Sequence, residues 1–223
     1  MKNFYHFGKP YSIKDLDVPS LKLKNIERIN IPILIIDDNE FEFLQHLKNH
    51  RFDITYFEDI PSIESAKEYE IILCDINGVG KKFKSKYEGA HVIAEIHKKY
   101  PFKTLIAYTG HTHDPSFNRF FKLADFKYKK DIDGDEWVEK LDQAIDLTTN
   151  PQKKWTKLRD FLIANDVSMF EIVKLENEYV KGILSGDNLK DFPSKKLSSE
   201  INPDVRAVLQ SFTASVIFKL IFG

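Results

Sequence analysis

The run Ile33-Leu34-Ile35-Ile36-Asp37-Asp38 constrains the fold more than any other stretch: four apolar side chains end abruptly in two adjacent carboxylates. The run shows no alternation of apolar and polar residues. A strand with one wet face would alternate, whereas an unbroken run suits a parallel strand buried on both faces. The same design returns in Ile71-Ile72-Leu73-Cys74-Asp75, in Thr104-Leu105-Ile106-Ala107-Tyr108-Thr109, and in Phe126-Lys127-Tyr128-Lys129-Lys130. These end in a carboxylate, a hydroxyl and an amine. Open α/β sheets bind ligands beyond the carboxyl ends of their strands, so four polar-tipped strands point to one site at one sheet edge.

The segments between these strands read as helices. Residues 39–49 carry Phe43, Leu44 and Leu47 at helical spacing, and residues 54–57 supply a further strand. Residues 62–69 form a short helix. Residues 90–99, with Val92, Ile93 and Ile96 on one side, form a longer one stopped by Pro101. Helices are expected also over 116–123 and 135–147, the latter with the stripe Trp137, Val138, Leu141, Ala144 and Ile145. Strands alternating with helices mean right-handed crossovers and a parallel sheet. The pattern changes at Asn150-Pro151. Beyond it only helical periodicity appears, over 154–164, 168–184 and 203–222. The chain therefore divides into an irregular arm (1–30), an α/β domain (31–149) and a helical region (150–223).

Composition narrows the function. Lysine and arginine number 33 against 34 acidic residues, for a net charge of −1, which gives no global reason to expect nucleic acid. Within 150–223 eleven basic residues face nine acidic ones, and no basic recognition helix stands out. One cysteine, Cys74, allows no internal disulfide, in keeping with a reducing cytoplasm. The amino terminus lacks the apolar core of a signal peptide, and no apolar run reaches the roughly 18 residues of a membrane span.

If the first and third strands are neighbours, Asp37, Asp38 and Asp75 converge. Three clustered carboxylates repel one another, and a divalent cation resolves the conflict. Mg²⁺ suits an all-oxygen set because it takes oxygen ligands in octahedral geometry and keeps several waters. Lys129 or Lys130 adds positive charge and Thr109 a hydroxyl. Together these groups suit the handling of a phosphoryl group, with a carboxylate as nucleophile.

On this ordered set of motifs, residues 31–149 resemble the receiver domain of two-component response regulators. The resemblance implies a flavodoxin-like five-stranded parallel sheet, order 2-1-3-4-5, flanked by helices. It assigns Asp75 as the phosphoacceptor, served by a histidine kinase or phosphotransfer protein. Mg²⁺ would lie on Asp37, Asp38, Asp75 and the backbone carbonyl of Asn77. Thr109 and Lys130, or alternatively Lys129, would complete the site. The helical region 150–223 would carry the signal to a partner or a second copy. Two positions depart from the family pattern: Val79 replaces a usual proline and Asp131 replaces the proline after the lysine; the place of the usual switch aromatic falls on Lys127 without a gap in the alignment and on Phe126 with one.

Rival readings remain open. A pseudo-receiver would bind partners without phosphorylation. A phosphohydrolase would use Asp75 as nucleophile, although Asn77 stands where such enzymes place an acid. A DNA-binding regulator would show salt-dependent binding to duplex DNA. Weaker signals are a lysine-rich loop (Lys81, Lys82, Lys84, Lys86), the pair His111 and His113 beside Asp114, and Phe117, Phe120 and Phe121 on a face receivers use for dimerisation. The last helix carries a wide apolar stripe, from Val205 to Ile221, that needs a covering surface within the chain or in a second subunit.

Overall fold

The computed structural model describes residues 10–17, 26–110, 117–186, 189, 192–195, 197 and 201–222, the side chain of Phe222 aside. Its five strands are β1 (Pro32–Ile36), β2 (Asp53–Phe57), β3 (Ile71–Asp75), β4 (Thr104–Thr109) and β5 (Phe126–Lys129). They form one parallel sheet in the order β2-β1-β3-β4-β5. This is the flavodoxin-like arrangement expected from the sequence. The helices of this half are α1 (Leu44–Asn49), α2 (Glu88–Lys99), α3 (Asn118–Phe121) and α4 (Gly134–Thr149), with a 3-10 turn at Ile63–Glu68.

The uniform apolarity of the strands conceals an alternation. Leu34, Ile36, Ile72, Cys74, Leu105 and Ala107 pack on one face against Val92, Ile93 and Ile96 of α2. Ile33, Ile35, Ile71, Leu73, Ile106 and Tyr108 pack on the other, against Leu47 of α1 and Trp137, Leu141 and Ala144 of α4. Each fully buried aliphatic side chain contributes about 1.5–3 kcal/mol, so both faces hold the sheet.

Asn150 is the junction between α4 and the helical region. Its side chain accepts from Lys153 N and caps α5 (Pro151–Ala164), with Pro151 in the first turn where a missing N–H costs nothing. Then follows α6 (Met169–Ser185), opened by a Ser168–Glu171 capping box. The helix expected over 203–222 is two helices, α7 (Pro203–Ala214) and α8 (Val216–Phe222). Extended backbone at Ser215 breaks it, and the Ser215 hydroxyl then accepts from Phe218 N at 3.2 Å.

The helical region is not a free appendage. Trp155, Leu158, Tyr179, Val205, Leu209 and Phe212 share a core with the α2 face of the sheet. Phe102 lies 5.3 Å from Phe212, centroid to centroid. Lys154 Nζ, fully buried, donates to Phe102 O at 2.7 Å. Lys157 donates to Lys103 O and, at 2.7 Å, to Asp125 Oδ2. Ile217 N donates to buried Glu70 Oε1 at 3.2 Å. Residues 70, 102 and 103 precede β3 and β4, so the helices close the amino ends of the strands, on the rim opposite the carboxylates. The apolar stripe of α7 and α8 is thereby covered by the chain itself.

The amino-terminal arm is partly ordered. A 3-10 turn at Ile13–Leu16 packs on α6, where Ile13 N donates to Glu176 Oε1 at 2.9 Å. The other oxygen of Glu176 accepts from Trp155 Nε1 at 2.7 Å. Arg28 pairs with Asp142 of α4 at 2.6 Å. Among the described residues no helix is long and apolar enough to cross a membrane.

Candidate functional site

Asp37 follows β1 and Asp75 ends β3, and because these strands are neighbours their carboxylates meet at the carboxyl rim. Both are almost fully buried, at 2% and 4% exposed. Asp38 lies at the edge of the same pocket. One oxygen from each of Asp37, Asp38 and Asp75 lies within 4.8 Å of the others. The cavity above them has a volume of about 490 Å³, with Phe41, Phe43, Tyr108 and Trp137 among its walls.

Lys130, one residue beyond β5, reaches into the cluster. Its Nζ lies 2.5 Å from Asp75 Oδ2 and 2.8 Å from Asp37 Oδ2. Lys129 is exposed. Of the two sequence alternatives, the structure brings Lys130 to the carboxylates. The Lys130–Asp131 peptide is trans, and the ammonium still spans both acids. Burial works against that charge, yet its bonds to Asp37 and Asp75 hold the Lys130 pKa above the ordinary lysine range. Burial dominates at Asp75, whose carboxyl is raised above its usual range despite Lys130 and the Asn77 N–H.

Asn77 N donates to Asp75 Oδ1 at 3.1 Å, and Asn77 Nδ2 donates to Thr109 Oγ1 at 3.2 Å. Thr109, at the end of β4, is thus tied to Asp75 through one residue, by the backbone N–H and the side chain of Asn77. The loop after β3 must also pass close to the acids. Gly78, at φ +77°, has no room for a side chain: a Cβ there would fall 2.1 Å from Asp38 Oδ2. Gly89 opens α2 against the backbone of Asp75, where a Cβ would lie 1.8 Å from the Asp75 oxygen.

Tyr108 was missed by sequence reasoning. Its fully buried hydroxyl donates to Asp37 Oδ2 at 2.6 Å, and its ring lies beneath Lys130 Nζ at 5.1 Å. Burial first, and then Asp37, push its phenol pKa far up, so the group acts as a permanent donor. The available signal was a tyrosine beside a strand-ending threonine in a wholly apolar run, since a buried phenol requires a partner.

The departures from the family pattern also have places. Val79 is buried in the core. Lys127 is exposed, and Phe126 stacks on Tyr128 at 5.8 Å. In the lysine-rich loop Lys81 Nζ comes within 3.3 Å of Asp38 Oδ2 while remaining largely in solvent. Asp59 holds that loop by accepting from Gly80 N and Lys81 N. Cys74 is fully buried, and desolvation pushes its thiol pKa well up, as for a packed core residue. Phe120 packs on Tyr87 at 4.8 Å, and Phe121 is buried. His111, His113 and Asp114 lie outside the described residues.

Asp37, Asp38, Asp75, Glu40 and Glu42 line the cavity against the single ammonium of Lys130, so the site is net negative. An all-oxygen, net negative pocket of this size fits a hard divalent cation such as Mg²⁺.

No protein-family model and no curated protein matches the chain. Among solved structures it is similar to a CheY-like response-regulator receiver domain from Methanospirillum hungatei, at 21% identity, with 53% of this chain and 95% of that chain covered and a TM-score of 0.45. It is similar also to the receiver domain of NtrX from Brucella abortus (18% identity, 51% and 98% covered, TM-score 0.43). A third is the response regulator TrrA from Thermotoga maritima in complex with Mg²⁺ and BeF (25% identity, 51% and 98% covered, TM-score 0.41). These similarities leave about half of the chain unmatched.

Proposed function

We propose that the chain is a response regulator that accepts a phosphoryl group on Asp75 from a histidine kinase or phosphotransfer protein. The observation that carries this reading is the convergence of Asp37, Asp38 and Asp75 within 4.8 Å, with Lys130 bridging two of them. In the transfer, a carboxylate oxygen of Asp75 forms the O–P bond as the P–N bond of a phosphohistidine breaks. The imidazole leaves with the electron pair and takes up a proton. Asp37, Asp38, Asp75 and the Asn77 carbonyl would hold Mg²⁺, whose charge would offset that of the phosphoryl oxygens. Lys130 supplies a fixed cation beside the nucleophile, already aligned before a donor arrives. Asn77 links Asp75 to Thr109, so a group added at Asp75 would disturb the end of β4. The protein then acts as a phosphoacceptor in signalling, and the helical region presents the outcome to a partner protein.

Incubation with acetyl phosphate and Mg²⁺, followed by intact mass spectrometry, tests the reading. The wild type gains the mass of one phosphoryl group and Asp75→Asn does not. Equal labelling of both, or none of the wild type, would discard it. A second reading, an interaction module that works without phosphorylation, is favoured by Lys81 beside Asp38. There a tethered ammonium would stand in for the metal, and a Mg²⁺ titration without a site would select that reading.

A further inference from the structure

We infer that His46, His50 and Asp135 form a transition-metal site of the Zn²⁺ class, made of residues other than those of the acidic pocket. His46 and His50 are one helical turn apart. His50 closes α1, its N–H donating to His46 O at 3.2 Å, and the two rings lie 4.7 Å apart. Histidines at this spacing project from the same face of a helix and are a recurrent pair of metal ligands. Asp135 comes from the first turn of α4, an element distant in sequence. One ligand atom from each of the three lies within 4.8 Å of the others.

Two details separate this cluster from a chance surface grouping. His46 Nε2 lies 3.3 Å from Asp135 Oδ1 without hydrogen-bond geometry, on an imidazole that is 39% exposed. Around a tetrahedral ion with bonds of about 2.0–2.1 Å, two ligand atoms stand about 3.3 Å apart, which is the separation observed here. In addition, α4 begins with Gly134, where a Cβ would lie 2.9 Å from His46 Cδ2 and 3.1 Å from His46 Nε2. The missing side chain lets the imidazole approach the start of α4. Asp135 is exposed, so water can fill a fourth position. Two imidazole nitrogens and one carboxylate select Zn²⁺, Co²⁺ or Ni²⁺ over Mg²⁺. Such an ion would cross-link α1 to α4. It shares no ligand with Asp37, Asp38 or Asp75, so it stands or falls independently of the phosphorylation reading.

The test is a Co²⁺ titration of the full chain after EDTA treatment, read by visible ligand-field absorption and then by displacement with Zn²⁺. The wild type should develop one equivalent of a bound-cobalt spectrum that Zn²⁺ removes and Mg²⁺ does not. His46→Ala and His50→Ala should each abolish it, whereas the double variant Asp37→Asn/Asp75→Asn should retain it. Gly134→Ala keeps all three ligands but displaces the His46 ring, and should weaken Co²⁺ binding by about tenfold. Far-UV circular dichroism checks each fold. If His46→Ala does not fold, Asp135→Asn, a change at an exposed residue, makes the same decision. A spectrum that persists in His50→Ala and Asp135→Asn, or its absence from the wild type, overturns the site.

Discussion

Replacing Tyr108 with phenylalanine removes one oxygen from the floor of the acidic pocket. The ring is fully buried between Phe41 and Trp137, at centroid distances of 6.0 and 5.8 Å. Phenylalanine keeps that packing, so the change isolates the bond from the hydroxyl to Asp37 Oδ2, 2.6 Å long. A hydrogen bond to a charged group contributes about 1.5–3 kcal/mol. Asp37 is not orphaned by the deletion, because Lys130 remains 2.8 Å from Oδ2 and Asn39 N remains 3.0 Å from Oδ1. The loss therefore belongs at the lower end, about 1.5 kcal/mol. For 223 residues, at about 2–4 °C per kcal/mol, Tm falls by about 3–6 °C. Urea unfolding without divalent cations, followed by the fluorescence of Trp137 and Trp155, measures the change. The freed lone pair on Asp37 should at the same time tighten Mg²⁺ binding. A stability change below about 0.5 kcal/mol would refute the assigned bond, and a loss above about 4 kcal/mol would show that the ring no longer packs as described.

Three further outcomes follow from the charged groups. Lys130→Met leaves Asp37 and Asp75 facing each other in a buried pocket, and should destabilise the fold by about 3 kcal/mol at pH 7. Part of that loss should return at pH 5 as a carboxylate takes up a proton; equal stability at both values in urea titrations would count against the pairing. Asp75 has a raised folded-state pKa. Its favourable contribution is thus full below the unfolded carboxylate pKa and is lost as pH rises through the folded value. Asp75→Asn should then be more stable than the wild type at pH 7, with the gap closing in acid; a less stable variant at pH 7 would contradict this. Lys154, buried against Phe102 O, has its pKa lowered by desolvation to about 7. A depressed amine contributes stability above its unfolded pKa that is lost as pH falls through about 7. The wild type should therefore gain stability from pH 7 to 9 relative to Lys154→Met, and parallel pH profiles of the two proteins would refute the assignment.

The sheet was legible in the sequence because a parallel strand needs apolar side chains on both faces, and few other local structures tolerate Ile33 to Ile36 without interruption. The acidic rim was legible for a related reason: strand ends are where the chain can place Asp37, Asp75 and Thr109 beside one another. Tyr108 was hidden within such a run, since its apolar ring and its polar tip satisfy different neighbours. The break at Ser215 was hidden as well, because the apolar stripe runs on across it while the backbone turns. Lys154 and Lys157 enter the sequence reading only as two of eleven basic residues, and only the docking of α5 reveals that they donate to the chain at residues 102 and 103. The arm was read as irregular without a role; its turn at Ile13–Leu16 depends on Glu176, more than 160 positions away, a partner no local pattern announces.

The most direct test of the central claim is anomalous diffraction from crystals soaked with Mn²⁺ as a stand-in for Mg²⁺. The account predicts an ion bonded to oxygens of Asp37, Asp38 and Asp75, with Lys130 still in contact with the nucleophile. A map without manganese between these three carboxylates, at concentrations that fill other oxygen sites, would contradict it.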